Sequence, residues 1–188
     1  MVKIGITGGI GSGKSYVCKR LAELYNIEVY DCDTEAKRLM RTSSEIKHKL
    51  TELIGPDVYV NGEINKPLLT QYLLESEYNA NTINYIVHPV VFKDFEESGK
   101  ICMESAILFE SGANWLVDKV IVVSAPEDVR IRRIMERDNI TREKSLQWMQ
   151  RQWPQEDIIK RADYEIINDG KADIDSQLQI IFKQLKNN

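Results

Sequence analysis

The sequence has little cysteine. Its three residues, Cys18, Cys32 and Cys102, are odd in number and widely spaced. With no C-x-x-C pair and no zinc spacing, they argue against a disulfide framework and a structural zinc site and point to reduced thiols. Long hydrophobic runs are missing too. No stretch approaches the ~18 apolar residues of a spanning helix, and no charged and apolar leader with a cleavage site precedes the first strand. A cytoplasmic protein with no membrane partner is expected. An excess of basic charge is also lacking: 25 Lys plus Arg stand against 29 Asp plus Glu, a net −4. A chain balanced in this way is not built around a polyanion, so nucleic acid is not its expected partner. Internal repeats and low-complexity tracts are absent.

What is present suits one compact domain. The 188 residues, 43% hydrophobic and 29% charged, can bury an ordinary α/β core with room for helical insertions. Val2 to Thr7 is a β-branched run that reads as a buried strand. Val17, Leu21 and Leu24 then form a helical stripe over 13–25, and Ile27 to Tyr30 returns to strand character. From 34 to 97 the strand signal gives way to helices near 34–41, 44–54, 66–75 and 77–97, with Asn65 as cap of the third. Strand character resumes at Ile101, at Lys119 to Val123 and at Asp163 to Ile167. A helix follows Pro126, and another, capped by Asp173, closes the chain. This alternation predicts a three-layer α/β fold with a central parallel sheet.

The strongest signal is Gly8-Gly9-Ile10-Gly11-Ser12-Gly13-Lys14-Ser15. It satisfies G-x-x-x-x-G-K-[ST] directly after a predicted strand and before a predicted helix, which is the context a phosphate-binding loop requires. Glycines let bare N–H groups approach an anion, and the helix start adds unpaired N–H groups and a positive dipole end. Lys14 supplies a cation for the β- and γ-phosphates. Ser15 offers a hydroxyl to Mg²⁺, and Tyr16 its backbone N–H to the α-phosphate. A dinucleotide-binding G-x-G-x-x-G fails, because the third glycine counted from Gly9 and Gly11 falls on Lys14.

Asp31-Cys32-Asp33 follows the second strand. Asp33 there is placed to accept the proton of an attacking hydroxyl or to hold a water on Mg²⁺; the plainer reading, that it caps a helix starting at Thr34, is less favoured after a phosphate-binding loop and could coexist with the first. Glu104 interrupts an apolar strand, which is costly without a partner; a role beside Mg²⁺ and a salt bridge both fit, and Glu110 is a weaker case of the same kind. Residues 130–161 carry nine basic and five acidic side chains. They form a helix–break–helix arm suited to a closing lid, or else a solvated helical face. Trp148 and Trp153 in this arm read as packing anchors. Asn168-Asp169-Gly170 is placed to line a purine and is also an ordinary turn.

Several segments together resemble the dephospho-CoA kinase family: Thr7 to Ser15, Asp31-Cys32-Asp33 with Ala36, His88-Pro89-Val90, Leu108-Phe109-Glu110, Arg137-Asp138, Ala162-Asp163-Tyr164 and Asn168-Asp169-Gly170. They occur in the family's order along nearly the whole chain. The resemblance implies a P-loop, nucleoside-monophosphate-kinase-like fold. Its nucleotide-binding core would be 1–33, 99–129 and 162–188, its helical acceptor-binding insertion 34–98 and its lid 130–161. It implies ATP with Mg²⁺, and phosphorylation of the ribose 3′-hydroxyl of dephospho-CoA by a monomer or weak homo-oligomer.

By position, Asp33, Lys14 and Arg137 would carry catalysis. Gly8, Gly9, Gly11, Ser12, Gly13, Lys14, Ser15, Tyr16, Arg142, Asn168 and Gly170 would hold ATP, and Asp33, His88 and Glu110 would face the acceptor. His88 has a second reading as a strained His-Pro turn or a capping imidazole. The chain departs from the family at Tyr16, usually threonine, at Cys32, usually alanine, and at Ser105-Ala106, often Val-Pro. From spacing alone another nucleoside or nucleotide kinase remains open. A GTPase-type switch lacks its Asn-Lys-x-Asp reader, since Asn65-Lys66-Pro67-Leu68 has no aspartate.

Overall fold

The computed structural model describes residues 2–187. The chain opens with β1 (Ile4–Thr7), α1 (Lys14–Tyr25) and β2 (Val29–Asp31). Helices α2 (Cys32–Thr42) and α3 (Ser44–Ile54) follow. A small antiparallel hairpin, β3 (Tyr59–Val60) with β4 (Glu63–Ile64), then leads into α4 (Lys66–Glu75) and α5 (Glu77–Ser98). Next come β5 (Cys102–Glu104), β6 (Lys119–Ser124), α6 (Glu127–Asp138), α7 (Arg142–Met149), α8 (Gln155–Arg161), β7 (Tyr164–Ile167) and α9 (Ile174–Asn187). Two compact units result. One runs to Tyr30 and resumes at Lys100; the other is Asp31–Gly99. Residues 130–161 lie in the first of these.

The first unit is built on a five-stranded parallel sheet in the order β2-β5-β1-β6-β7. β1 is central, with Ile4 paired to Cys102 on one side and to Lys119 on the other. All four of its residues are buried, as a strand covered on both faces requires. On one face Ile4, Ile6, Cys102, Ile121, Val123 and Ile166 pack against Val17, Cys18 and Leu21 of α1 and Ile174, Leu178, Ile181 and Leu185 of α9. Val17 and Leu21 belong to the stripe that the helical spacing over 13–25 predicts; its third member, Leu24, is exposed. Tyr25 and Phe182 stack at 4.2 Å, and a bidentate Arg20–Asp175 contact joins the same two helices. On the opposite face the chain after β5 lies so close that a Cβ on Gly5 would sit 2.8 Å from Leu108 Cδ2. Asp173 caps α9 by accepting from the Asp175 and Ser176 amides.

The second unit is helical. Its first helix corrects one reading of the sequence: Asp31, not Asp33, is the cap, and α2 starts at Cys32 rather than Thr34. The Asp31 Oδ1 accepts from the backbone N–H groups of Asp33 and Thr34, at 3.0 and 3.1 Å, and its Oδ2 from the Thr34 hydroxyl. The expected helix over 77–97 is observed, and the alternative reading of His88-Pro89 as a strained turn is corrected. α5 runs through Pro89, because Ile83, Val87, Val91 and Phe95 recur at four-residue spacing and bury one continuous face. Tertiary packing here outweighs the backbone bond that a proline removes. Arg38 grips both oxygens of Asp94 at 2.7 Å and ties α2 to α5. Among the described residues no helix is long and apolar enough to cross a membrane.

Candidate active site

The phosphate-binding loop leaves the carboxyl end of β1, the usual ligand edge of a parallel sheet. Two of its glycines are required by contact. Gly8, at φ +145°, lies so near β6 that a Cβ would stand 2.2 Å from the Val123 carbonyl oxygen. Gly13, at φ +92°, would drive a Cβ to 2.1 Å from Asn168 Nδ2. Gly13 is also the left-handed residue that starts α1. Lys14 folds back over the loop, its Nζ 2.9 Å from the Gly8 carbonyl oxygen and 3.9 Å from Glu104 Oε1. The carboxylate that interrupts the apolar strand β5 is therefore partnered by the loop lysine. Ser15 is exposed, and its hydroxyl has no hydrogen-bond partner among the described residues. Tyr16 also projects its ring outward, while its N–H donates to the Gly13 carbonyl at 3.1 Å. Ser12 is fully buried.

The loop's outer side is held by residues that the motif does not contain. Arg130 Nε donates to the Ile10 carbonyl at 3.0 Å. Arg133 Nη1 reaches the carbonyls of Gly11, Ser12 and Asn168, at 3.4, 3.2 and 3.0 Å. Asn168, which is buried, donates from Nδ2 to the Ser12 carbonyl at 2.9 Å and accepts from Arg133 Nη2 at 3.2 Å. Gln152, between α7 and α8, accepts the Ile10 N–H at 2.7 Å. Arg130, Arg133 and Gln152 were not singled out by the sequence reading. The available signal was the i, i+3 spacing of the two arginines, which places them on one helix face. Burial holds the Arg130 guanidinium below its ordinary pKa, offset in part by Glu127. Two of the nine basic residues of the arm thus face the loop's backbone.

Beside Gly13 and Tyr16 a cavity of about 490 Å³ is lined by Arg133, Asn168, Gly170 and Asp173. It brings together four of the residues expected to hold ATP: Gly13, Tyr16, Asn168 and Gly170. Other expected residues lie elsewhere. Arg137 is largely exposed at the end of α6, with its guanidinium on Asp138, whose hydrogen bond raises its pKa. Arg142 is exposed in the first turn of α7. Glu110 Oε1 accepts the Trp153 N–H at 3.2 Å, while Oε2 is buried without a partner. Trp153 in turn carries the Arg161 guanidinium over its ring at 4.9 Å.

In the helical unit, Asp33 is exposed and its carboxylate makes no hydrogen bond among the described residues, since Asp31 does the capping. His88 is half-buried on α5, its ring 5.9 Å from that of Phe92, and desolvation lowers its pKa. No cluster of three or more His, Cys, Asp or Glu side chains that could enclose a metal occurs among the described residues.

Comparison with known proteins decides what this loop belongs to. The model of the family described as dephospho-CoA kinase matches residues 2–173. The chain belongs to the dephospho-CoA kinase family. A dephospho-CoA kinase of Bacteroides fragilis is 41% identical over 94% of this chain and 89% of its own. That of Porphyromonas gingivalis is 43% identical over 89% and 86%, respectively. Among solved structures, a Thermus thermophilus protein superposes with a TM-score of 0.82 at 28% identity, over 98% of this chain and 97% of its own. The dephospho-CoA kinase from Campylobacter jejuni gives 0.65 at 20% identity, over 97% and 96%, a likeness of fold. Members of this family are named as kinases, so the chain is a phosphotransferase with a nucleotide-binding loop.

Proposed function

We propose that this chain transfers the terminal phosphoryl group of ATP to the ribose 3′-hydroxyl of dephospho-CoA, giving ADP and CoA. The observation that carries the reading is the glycine loop, closed by Lys14, in a chain matched over residues 2–173 by the dephospho-CoA kinase family. In this reading the loop amides and the start of α1 hold the β- and γ-phosphates, and Lys14 turns from Gly8 and Glu104 to the migrating group. The cavity beside Gly13, Tyr16, Asn168 and Gly170 takes the adenine. Asp33 accepts the proton of the 3′-hydroxyl as its oxygen attacks the γ-phosphorus. The bond to the β,γ-bridging oxygen breaks and ADP leaves with that electron pair. Arg137 and Arg142 act from the arm at 130–161, whose part beyond the loop-bound Arg130 and Arg133 closes once both substrates are bound. His88 and Glu110 serve the acceptor side.

The donor set fits Mg²⁺. That ion keeps several waters and uses one or two protein oxygens plus phosphates rather than a closed protein cage. Ser15 would hold it through the unengaged hydroxyl, with Glu104 orienting a water. When bound, the ion neutralises phosphate charge. A cytoplasmic monomer or weak homo-oligomer suits this activity.

The test is an ADP-release assay with an acceptor panel of dephospho-CoA, nucleosides and nucleoside monophosphates, each with ATP and with GTP as donor. Turnover confined to ATP with dephospho-CoA is the expected result. Strong transfer to a nucleoside monophosphate and none to dephospho-CoA would overturn it.

A further inference from the structure

The contacts on the outer side of the loop form a pattern. Three successive carbonyls, those of Ile10, Gly11 and Ser12, each accept a hydrogen bond from a side chain outside the loop. A trans peptide is planar, so a carbonyl fixed outward directs the next N–H the opposite way. No cis peptide interrupts the segment. Holding the Ile10 carbonyl therefore turns the Gly11 N–H inward, and holding the Ser12 carbonyl does the same for Gly13. Neither N–H has an acceptor among the described residues. The Ser12 N–H, between them, closes a turn on the Gly9 carbonyl at 3.1 Å. The donors come from α6 and from the segment after β7, two elements far apart in sequence.

We propose that Arg130, Arg133 and Asn168 are positioning residues that clamp the carbonyls of Ile10, Gly11 and Ser12 and so aim the amides of Gly11 and Gly13 at a triphosphate. This rests on the triphosphate reading above. It assigns to two arginines of the basic arm a role on the protein backbone instead of on the migrating phosphoryl group. Arg130 is the cleanest member. It lies against the loop so closely that a Cβ on Gly9 would stand 2.2 Å from its Nη2, yet it does not line the cavity assigned to the purine. Loss of its guanidinium should therefore be felt by polyphosphate and not by nucleoside.

Calorimetric titration of the full chain with ATP, inorganic tripolyphosphate and adenosine separates these effects, beside steady-state kinetics. Because a hydrogen bond from a charged donor is removed, Arg130→Met is expected to weaken ATP and tripolyphosphate binding roughly tenfold or more. Adenosine affinity should stay unchanged, KM for ATP should rise by more than kcat falls, and Arg130→Lys should recover most of the loss. A folded Arg130→Met that binds tripolyphosphate within about twofold of wild type overturns the clamp. So does an equal loss of adenosine affinity, which would mark a general distortion. If Arg130→Met does not fold, Asn168→Ala decides by the same limits on tripolyphosphate alone. A wild-type protein that binds neither ATP nor tripolyphosphate removes the triphosphate reading and the clamp with it. Wild-type binding with unaffected variants removes the clamp only.

Discussion

Around the phosphate loop every carbonyl from Ile10 to Ser12 has a side-chain donor, and the loop lysine is drawn between Gly8 and Glu104. In the helical unit, Asp33 stands exposed with its neighbour Asp31 taking the capping bonds, and Tyr78 and Tyr85 lie open on α5. The two regions meet opposite demands. A triphosphate brings the same high charge to the same place in every turnover, and fixed dipoles stabilise it without reorganising when charge shifts. On the proposed reading Asp33 is the catalytic carboxylate, which must stay unengaged until its hydroxyl partner arrives, and the capping bonds of α2 go to Asp31 instead.

That contrast can be broken from either side. The largest effect is expected from Lys14→Ala, which takes the cation from the donor region. Turnover should fall about 10³–10⁵-fold, the scale of removing a cation that stabilises a transferring phosphoryl group. ATP binding should weaken with it, as a titration would register. Asp33→Asn should strike the other region alone, lowering kcat by about 10²–10⁴-fold while leaving ATP affinity near wild type. Near-normal kcat in this variant would remove Asp33 from proton transfer and return it to a simple member of the first turn of α2.

The uneven visibility of these features in the sequence has a physical cause. The glycine loop was legible because contact dictates its residue types: Gly8 and Gly13 have no room for a side chain. The sheet was legible because β1 and β6 are buried runs of apolar residues. Asp31 was misread because a cap is chosen by backbone angles, and Asp31 and Asp33 offer the same carboxylate two residues apart. The helix over 77–97 was legible through Pro89, and only the alternative reading of His88-Pro89 as a turn fell, because the buried face of α5 outweighs the proline's local preference. The outer clamp escaped because an arginine that binds a distant carbonyl has the same sequence signature as one that faces water. Only the fold, by placing α6 beside the phosphate loop, separates Arg130 and Arg133 from their exposed neighbours.

A milder change to the donor region sharpens the point about rigidity. Gly13→Ala keeps every charge but adds a Cβ at φ +92°, 2.1 Å from Asn168 Nδ2. A strained backbone of this type costs of order 1–3 kcal/mol. The variant should lose a few degrees of thermal stability together with roughly tenfold in ATP affinity. Stability lost without any change in ATP affinity would mean that Gly13 serves only the packing of the loop on Asn168.

The smallest effect belongs to the helical unit and follows from His88. Desolvation lowers its pKa below the ordinary value of 6.5, so the folded protein binds that proton less readily than the unfolded chain. Above pH 6.5 both states carry a neutral imidazole, and the stability is fully present. As pH falls, the unfolded chain takes up its proton first, and stability declines until the pH has passed through the folded-state pKa. Melting temperatures from pH 7.5 down to 5 should therefore drop slightly more in the wild type than in His88→Gln, whose amide does not titrate. Parallel curves for the two proteins would show that the imidazole gains enough compensation near Phe92 to titrate as it does in the unfolded chain. The half-buried ring would then be no different electrostatically from the exposed surface of α5.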